Sequence, residues 1–433
     1  MTGSALPWWL PVSDSRAMGL AGTMGSLMAG VSVCMIVKDE AARLPACLAS
    51  LAELEAEIIV CDTGSSDDTA AIAAQFGAQV HHIEWTDDFA AARNQSLQRA
   101  TRDWILVIDA DEVLTETGRQ HMQALLTNPS LWQTPTEDLL LVTWLRQEMG
   151  ARQSPYTQVT RLFRNHPQLR FSRPYHESID DSADALMQAT PHWQAVQWDQ
   201  VAFTHSGYSD GAIAAQDKFQ RAERIMARHL VAHPQDGYIC NKLGALYGAQ
   251  GDWAKGLTYL ERGSAQATDP MTRYELHYHA GLAHRSLNRP TQAQKYYQAA
   301  LAVPIADRLK LSAHLNLGSL YKHQGQLTDA QAQFEAAIQV DHTLALAHYN
   351  LGVVYRAQGS LEPALDAYQQ AIALEPTYAE AHQNLAAIFF KLGRLPESRA
   401  AFQTAVNLYK KTNPAAAIRL QQGAHQLGLG GLN

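Results

Sequence analysis

Three carboxylates follow an unbroken apolar run and could carry chemistry together. Asp109, Asp111 and Glu112 come directly after residues 104–108, Trp-Ile-Leu-Val-Ile. Carboxylates on so short a spacing repel each other unless a cation joins them, and hard oxygen ligands suit Mg²⁺ or Mn²⁺. These ions usually keep waters and complete their shell with substrate phosphates. The alternative is that the acidic residues only cap the next helix, whose N-terminus favours negative charge.

The elements that would position these carboxylates alternate between strand and helix patterns. The apolar run 104–108 predicts a strand buried on both faces of a parallel sheet. Ligands of open α/β sheets bind at the carboxyl edge, where the three carboxylates would emerge. The upstream sequence predicts strands at residues 31–37, 57–61 and 79–83, and helices at 40–54, from Thr69, and at 88–100. This order indicates right-handed βαβ units.

Length, charge and cysteine usage narrow the class of protein. A chain of 433 residues is too long for one ordinary core, so two or three domains are expected. The net charge of −8 argues against non-specific nucleic-acid binding. The cysteines show no Cys-x-x-Cys pair and are interpreted as buried free thiols, which favours a cytoplasmic location. Residues 1–30 are glycine-interrupted and lack a basic start, so a disordered extension is expected there, and no transmembrane segment.

Four segments of the first 112 residues stand out together: MIVKDE at 35–40, VCDTGSSDDT at 60–69, ARN at 92–94 and WILVIDADE at 104–112. In order and approximate spacing they resemble family 2 glycosyltransferases, which have the nucleotide-sugar GT-A fold, a Rossmann-like α/β architecture. The resemblance is closest to the bacterial subgroup that joins this domain to helical repeats.

The resemblance implies a donor site with a divalent cation, Mn²⁺ or Mg²⁺. The residues expected to bind the nucleotide-sugar are Val37, Lys38, Glu40, Asp62, Arg93 and Asp109, with Asp62 at the base. Asp109 and Asp111 would form the Asp-x-Asp (DXD) pair that holds the diphosphate through the metal. Physical chemistry agrees, since a cation stabilises the nucleoside diphosphate that leaves as the sugar is transferred. Asp39 departs from the subgroup, which more often has Asn there.

The acceptor half of the domain is expected after Glu112, with strands at 138–145 and from residue 160. Glu177 lies in a Tyr-His-Glu-Ser segment and His205 in a His-x-Gly-Tyr segment, both of which resemble the same subgroup. Inverting transfer needs a base for the acceptor's proton, and Glu177 is the candidate. Its alternative role is to orient a neighbouring His or Arg. His205 is a candidate third metal ligand, against the alternative of a structural histidine.

The C-terminal half contains an internal repeat. Asn316-Leu317-Gly318 recurs as Asn350-Leu351-Gly352, an interval of 34 (350 − 316), and the turn glycines Gly325 and Gly359 keep it. This period and pattern resemble the tetratricopeptide repeat and predict an all-α superhelix. About five units are predicted between residues 234 and 410.

The sequence thus predicts five regions and two competing functions. The regions are an extension (1–30), a GT-A domain (31–208), a linking helix (209–233), tetratricopeptide repeats (234–410) and a capping helix with a tail (411–433). The first function is an inverting, metal-dependent glycosyltransferase whose repeats recruit a protein, peptide or glycan acceptor. The alternative is a non-catalytic repeat adaptor with a degenerate transferase domain. A protein partner or self-association through the repeats is also expected.

Overall fold

The chain divides into two compact units. The computed structural model describes residues 29–128, 138–206 and 212–429, except the side chains of 212–217. Gly207, Tyr208 and nearly all of the predicted N-terminal extension lie outside these residues. The first unit comprises the chain up to Ala151 together with Pro155–Leu246. The second comprises Arg152–Ser154 and the chain from Tyr247 onward.

The first unit is built on a mixed sheet. Its strands are β1 (Val31–Val37), β2 (Glu57–Asp62), β3 (Gln79–His82), β4 (Trp104–Val107), β5 (Glu112–Leu114), β6 (Asp138–Glu148), β7 (Tyr156–Arg164) and β8 (Trp193–His205). Its helices are α1 (Leu44–Ser50), α2 (Thr69–Gln75), α3 (Phe89–Leu97), α4 (Glu116–Thr127), α5 (Asp180–Ala189) and α6 (Ala212–Ala232), followed by most of α7 (Gly237–Ala249).

The strand order explains where a site can form. The eight strands are arranged β3-β2-β1-β4-β7-β6-β8-β5, and β1 to β4 are mutually parallel. Strand β7 pairs antiparallel to β4, and β5 pairs antiparallel to β8. The ends of β1, β2 and β4 therefore meet at one edge, with the end of β8 brought back beside the start of β5.

Both faces of the parallel part of the sheet are buried, as the apolar runs predict. Val33 and Met35 of β1 belong to one core cluster and Cys34, between them, to another. Leu106 and Val107 of β4 divide between the same two clusters. This alternation follows from the two-residue period of a strand, and it explains why these strands are mostly apolar. The exception in β1 is Ser32, whose buried hydroxyl donates to Glu57.

The first helix is shorter than the predicted helix 40–54. It begins only at Leu44 and is followed by a separate 3₁₀ turn, Ala52–Leu54. The N–H groups of Glu40 and Ala41 donate to the side chains of Thr69 (2.7 Å) and Asp67 (3.1 Å) on the next loop. Since these bonds replace helical ones, the residues after β1 form a loop.

The second unit consists of helices. They are α8 (Trp253–Ser264), α9 (Pro270–Ser286), α10 (Pro290–Leu301), α11 (Leu311–His323), α12 (Leu327–Val340), α13 (Ala345–Gln358), α14 (Leu361–Leu374), α15 (Ala379–Lys391), α16 (Leu395–Thr412) and α17 (Pro414–Gln426). Helices α7–α16 fall on the five predicted repeats. A 3₁₀ helix, Asp307–Lys310, lies within the interval of 37 residues (318 − 281) between Gly281 and Gly318.

The repeat glycines permit close helix contact. A Cβ on Gly318 would lie 2.8 Å from Phe334, and one on Gly352 would lie 2.7 Å from Tyr368. Phe334 and Tyr368 are fully buried, so each aromatic ring fills the space that the glycine leaves. The recurring glycine is thus explained by packing of the first helix of a repeat on the second.

We expect Gly352→Val to destabilise the repeats by about 1–3 kcal/mol, because the added methyl groups would overlap the Tyr368 ring. Urea unfolding followed by circular dichroism measures this. The matched control is Gly423→Ala in α17, where a Cβ would meet no atom within 4 Å. That change should be neutral or stabilise by up to about 1 kcal/mol. Equal stability of the two variants would contradict the packing role of Gly352.

No helix among the described residues has both the length and the apolar character needed to cross a bilayer.

Candidate active site

A cavity of about 510 Å³ lies at the edge where β1, β2 and β4 end. The start of α3, the loop before α5, the end of β8 and helix α6 also border it. It brings together every predicted site residue except Asp62, namely Val37, Lys38, Glu40, Arg93, Asp109, Asp111, Glu177 and His205.

Asp62 shapes a loop at the end of β2. Its side chain is almost fully buried. Its Oδ1 accepts hydrogen bonds from the N–H groups of Gly64 (3.1 Å) and Ser65 (2.8 Å) and from the Ser65 hydroxyl (2.7 Å). The next residue, Thr63, lines the cavity in its place. A contact between Asp62 and the base of a nucleotide therefore stays a prediction.

Asp39 ties the loop after β1 to the loop after β2. Its φ of 55° lies in the left-handed region, which Asn and Asp adopt more readily than other residues with a side chain. Its Oδ1 accepts from the Ser66 N–H (2.6 Å) and hydroxyl (2.9 Å), and these bonds lower the pKa of Asp39. An Asn oxygen at this position can accept the same bonds, so the departure from the subgroup preserves the loop.

Asp109 is held by two arginines. Arg93 donates to its Oδ1, and Arg161 Nη2 donates to its Oδ2 at 2.6 Å. Burial alone would raise the pKa of Asp109, but the charges of Arg161 and Arg93 outweigh burial and hold the pKa well below its usual range. Asp109 is thus an ionised carboxylate with a cation on each oxygen.

Glu177 shares one of these arginines. Arg93, whose side chain is 5% exposed, also donates from Nε to Glu177 Oε1 at 2.9 Å. Glu177 lies in a tight loop closed by hydrogen bonds between the backbones of Ser172 and Ser178, at 2.9 and 3.1 Å. His176, beside it, has φ of 54°, and such strained positions often occur at functional sites. One buried guanidinium therefore fixes Glu177 relative to Asp109.

Glu112, the third carboxylate of the cluster, is fully buried. Its Oε1 accepts from Arg161 Nη2 (2.6 Å) and from Arg146 Nη1 (2.7 Å). Arg146 also pairs with Glu148 at 2.8 Å, two residues along β6. In the structure Glu112 thus binds two arginines. It neither caps a helix nor faces a metal site.

His205 connects Glu148 with Asp111. Its Nδ1 lies 2.6 Å from Glu148 Oε2 and its Nε2 lies 3.2 Å from Asp111 Oδ2. Hydrogen bonds to the two carboxylates raise the pKa of His205 to about 9, although burial opposes this. Burial would raise the pKa of Glu148, but His205 and Arg146 lower it to about 2. At neutral pH His205 is an imidazolium between two carboxylates.

These contacts form one continuous series of ion pairs, which we call the ion-pair chain. Its members are, in order, Glu177, Arg93, Asp109, Arg161, Glu112, Arg146, Glu148, His205 and Asp111. It runs from the candidate base to the second aspartate of the Asp-x-Asp pair, and beyond Asp111 it continues through Arg43 (3.8 Å) to Glu40 (3.4 Å from Arg43).

The side chains around Asp111 suit a divalent cation that binds few protein ligands. In the described part of the chain, no three His, Cys, Asp or Glu side chains converge as a metal cage. Asp111 and His205 are adjacent, and Mg²⁺ or Mn²⁺ commonly binds one or two side chains and completes its shell with phosphate and water. His205 can ligate only as the neutral ring, so metal binding there would release its proton. Asp109 already accepts from an arginine on each oxygen, so a cation there would have to use the lone pairs that remain.

Several site residues were missed by sequence reasoning. Arg146 and Glu148 stand two apart on β6, so they share one face, and charged residues at the end of an apolar strand were an available signal. Lys218 and Arg221 stand three apart on α6, a helix predicted only to link two domains, and both line the cavity. No sequence pattern around Arg161 indicated that it belongs to the site.

Comparisons with known proteins agree with this architecture. Residues 32–194 match the glycosyl transferase family 2 model, and residues 274–303, 318–359 and 354–393 match tetratricopeptide (TPR) repeat models. A TPR repeat-containing protein of Synechococcus elongatus is 43% identical over 318 residues, covering 72% of this chain and 77% of that one.

A second relative and a solved structure each match a smaller share of the chain. An uncharacterized glycosyltransferase of Rickettsia felis is 26% identical over 198 residues, which cover 46% of this chain and 69% of the relative. The crystal structure of MamA matches 39% of this chain and 96% of its own, with 22% identity and a TM-score of 0.35.

The family model, the relatives, the sheet with its cavity and the helical repeats agree with one another. The chain thus combines a glycosyl transferase family 2 domain, at residues 32–194, with a C-terminal array of tetratricopeptide repeats.

Proposed function

We propose that this glycosyltransferase is an inverting, metal-dependent enzyme that moves a sugar from a nucleotide-sugar to an acceptor hydroxyl. The observation that carries the proposal is the position of Glu177. Its carboxylate lines the cavity and is fixed by Arg93 beside the Asp109–Asp111 pair. This position supports a role for Glu177 as the base, beside the carboxylates proposed to hold the diphosphate through a metal.

Each residue of the site has its own role in the proposed reaction. The acceptor oxygen attacks the anomeric carbon, the bond from that carbon to the diphosphate oxygen breaks, and Glu177 takes the acceptor's proton. Attack opposite the leaving group inverts the anomeric centre. Lys38 and the loop around Glu40 border the donor, and Arg93 holds Glu177 in place.

Asp111, with His205, would hold the divalent cation. The cation would supply positive charge to the leaving diphosphate. The Asp109 carboxylate, held by Arg93 and Arg161, keeps Arg93 oriented toward Glu177.

The repeats would bind the acceptor or a protein partner. Repeat arrays present extended surfaces that suit long ligands, and remote contacts can offset the cost of ordering a flexible acceptor.

We expect Asp111→Asn to lose the Mn²⁺-dependent part of nucleoside diphosphate binding while the fold is retained. Neutralising the carboxylate removes the charged ligand that holds the cation. Calorimetry with uridine diphosphate, with and without Mn²⁺, measures the difference, and circular dichroism reports the fold. The matched control is Asp199→Asn, an exposed aspartate on β8. An unchanged Mn²⁺ effect in Asp111→Asn would show that Asp111 is not a ligand.

A further inference from the structure

One wall of the cavity has no role in the reaction described above. Trp85, Phe89 and Tyr175 pack edge to face, with ring centroids 4.7 Å apart for the first pair and 5.3 Å for the second. All three line the cavity, together with Lys218 and Arg221 of helix α6. We call these five residues the aromatic–basic wall.

Arg221 is held in this wall by stacking. Its guanidinium carbon lies 5.3 Å from the ring centroids of both Trp85 and Phe89. Among the described residues it has no carboxylate partner, whereas Arg224, three residues further along the helix, pairs with Asp87 at 2.6 Å. Stacking leaves the N–H groups at the edge of a guanidinium available, so Arg221 retains its capacity to bind an anion.

The wall lies beside the candidate base, Glu177. Tyr175 is two residues from Glu177 in the same tight loop, and Phe89 is one helical turn from Arg93, which holds Glu177. Burial raises the pKa of Tyr175, the charges of Arg221 and Lys218 lower it, and Glu177 raises it. The Tyr175 hydroxyl thus lies in the fields of both the basic side chains and the candidate base.

We propose that the aromatic–basic wall binds a phosphorylated glycan acceptor, with Lys218 and Arg221 contacting the phosphate and the aromatic rings contacting the sugar. Two cations that line one cavity suit a phosphate group, which is doubly charged near neutral pH. Aromatic side chains offer large apolar contact areas to the face of a ring. This inference rests on the proposed function and defines the chemical class of its acceptor.

The test uses the full chain loaded with uridine diphosphate and Mn²⁺. Glucose 6-phosphate, glucose and O-phosphoserine are titrated by calorimetry. We expect glucose 6-phosphate to bind roughly tenfold or more tightly than either of the others, because it alone carries both the phosphate and the ring. The Lys218→Gln/Arg221→Gln variant should bind glucose 6-phosphate roughly tenfold or more weakly than the wild-type protein. Arg224→Gln, on the same helix, should bind like the wild-type protein.

The affinity for uridine diphosphate, measured separately, shows whether Lys218 and Arg221 bind the acceptor or the donor. Unchanged affinity in the double variant supports the acceptor assignment, whereas a loss would show that the two cations bind the donor diphosphate and would overturn it. Equal binding of O-phosphoserine would overturn the glycan assignment. If glucose 6-phosphate binds no better than glucose while uridine diphosphate binds normally, the inference fails and the proposed function stands. If the wild-type protein does not bind uridine diphosphate or any other nucleoside diphosphate, the proposed function itself fails.

Discussion

Glu177→Gln should lower turnover by about a hundredfold or more and leave nucleoside diphosphate affinity nearly unchanged. Glutamine retains the oxygen that accepts from Arg93 Nε and has almost the same size, so the substitution removes the base without removing the hydrogen bond. Metal-dependent hydrolysis of the donor, with water as acceptor, gives a rate that requires no knowledge of the natural acceptor. Calorimetry gives the affinity.

The matched control for this experiment is Glu116→Gln, at a carboxylate that is mostly exposed on α4. It should change neither quantity. A parallel loss of turnover and affinity in Glu177→Gln would mean that Glu177 serves the nucleotide site by orienting Arg93. A turnover within about threefold of wild type would exclude Glu177 as the base. The same assay separates an enzyme from a non-catalytic adaptor, since an adaptor would show no donor hydrolysis to lose.

Arg161→Met should destabilise the first unit by about 3–5 kcal/mol and abolish activity. Arg161 donates to Asp109 and Glu112, and Glu112 is fully buried. Removing the guanidinium leaves two close carboxylates with less positive charge between them, and their repulsion opposes folding. Chemical unfolding of wild type and variant, followed by tryptophan fluorescence, gives the difference in free energy.

Arg119→Met is the control for burial. Arg119 also bridges two carboxylates, Glu53 and Glu116, but these are 68% and 62% exposed, so water screens them. Its loss should cost much less stability than the loss of Arg161. Similar losses of stability in the two variants would show that burial does not determine the strength of the Arg161 pairs.

The sequence predicts the parallel half of the sheet well because that half depends on local patterns. Strand β4 is a continuous apolar run and β1 is apolar except for Ser32, and the order of these strands along the chain places their ends at one edge. Residues that follow those ends, including Asp109 and Asp111, could therefore be assigned to one cavity. The helix after β1 began later than predicted because its first N–H groups bond to side chains 26 to 29 residues away.

The antiparallel half and its ion pairs could not be predicted in the same way. Strand β8 mixes polar and apolar residues and gave no clear pattern, yet it lies between β6 and β5. The partners it brings together are far apart in sequence, as with His205 and Asp111, 94 residues apart. Arg161 and Asp109 are 52 residues apart. Such pairs follow from strand order, which local periodicity does not determine.

The ion-pair chain also constrains how such a sequence can evolve. Its nine members alternate in sign from Glu177 to Asp111, so every interior residue neutralises two neighbours. A single charge-removing mutation in the interior leaves like charges adjacent at a buried site, and selection acts against the destabilised intermediate. Substitutions there are tolerated mainly as compensating pairs, one of each sign. The sequence of the ion-pair chain should therefore diverge more slowly than that of the exposed helices, and its residues should co-vary.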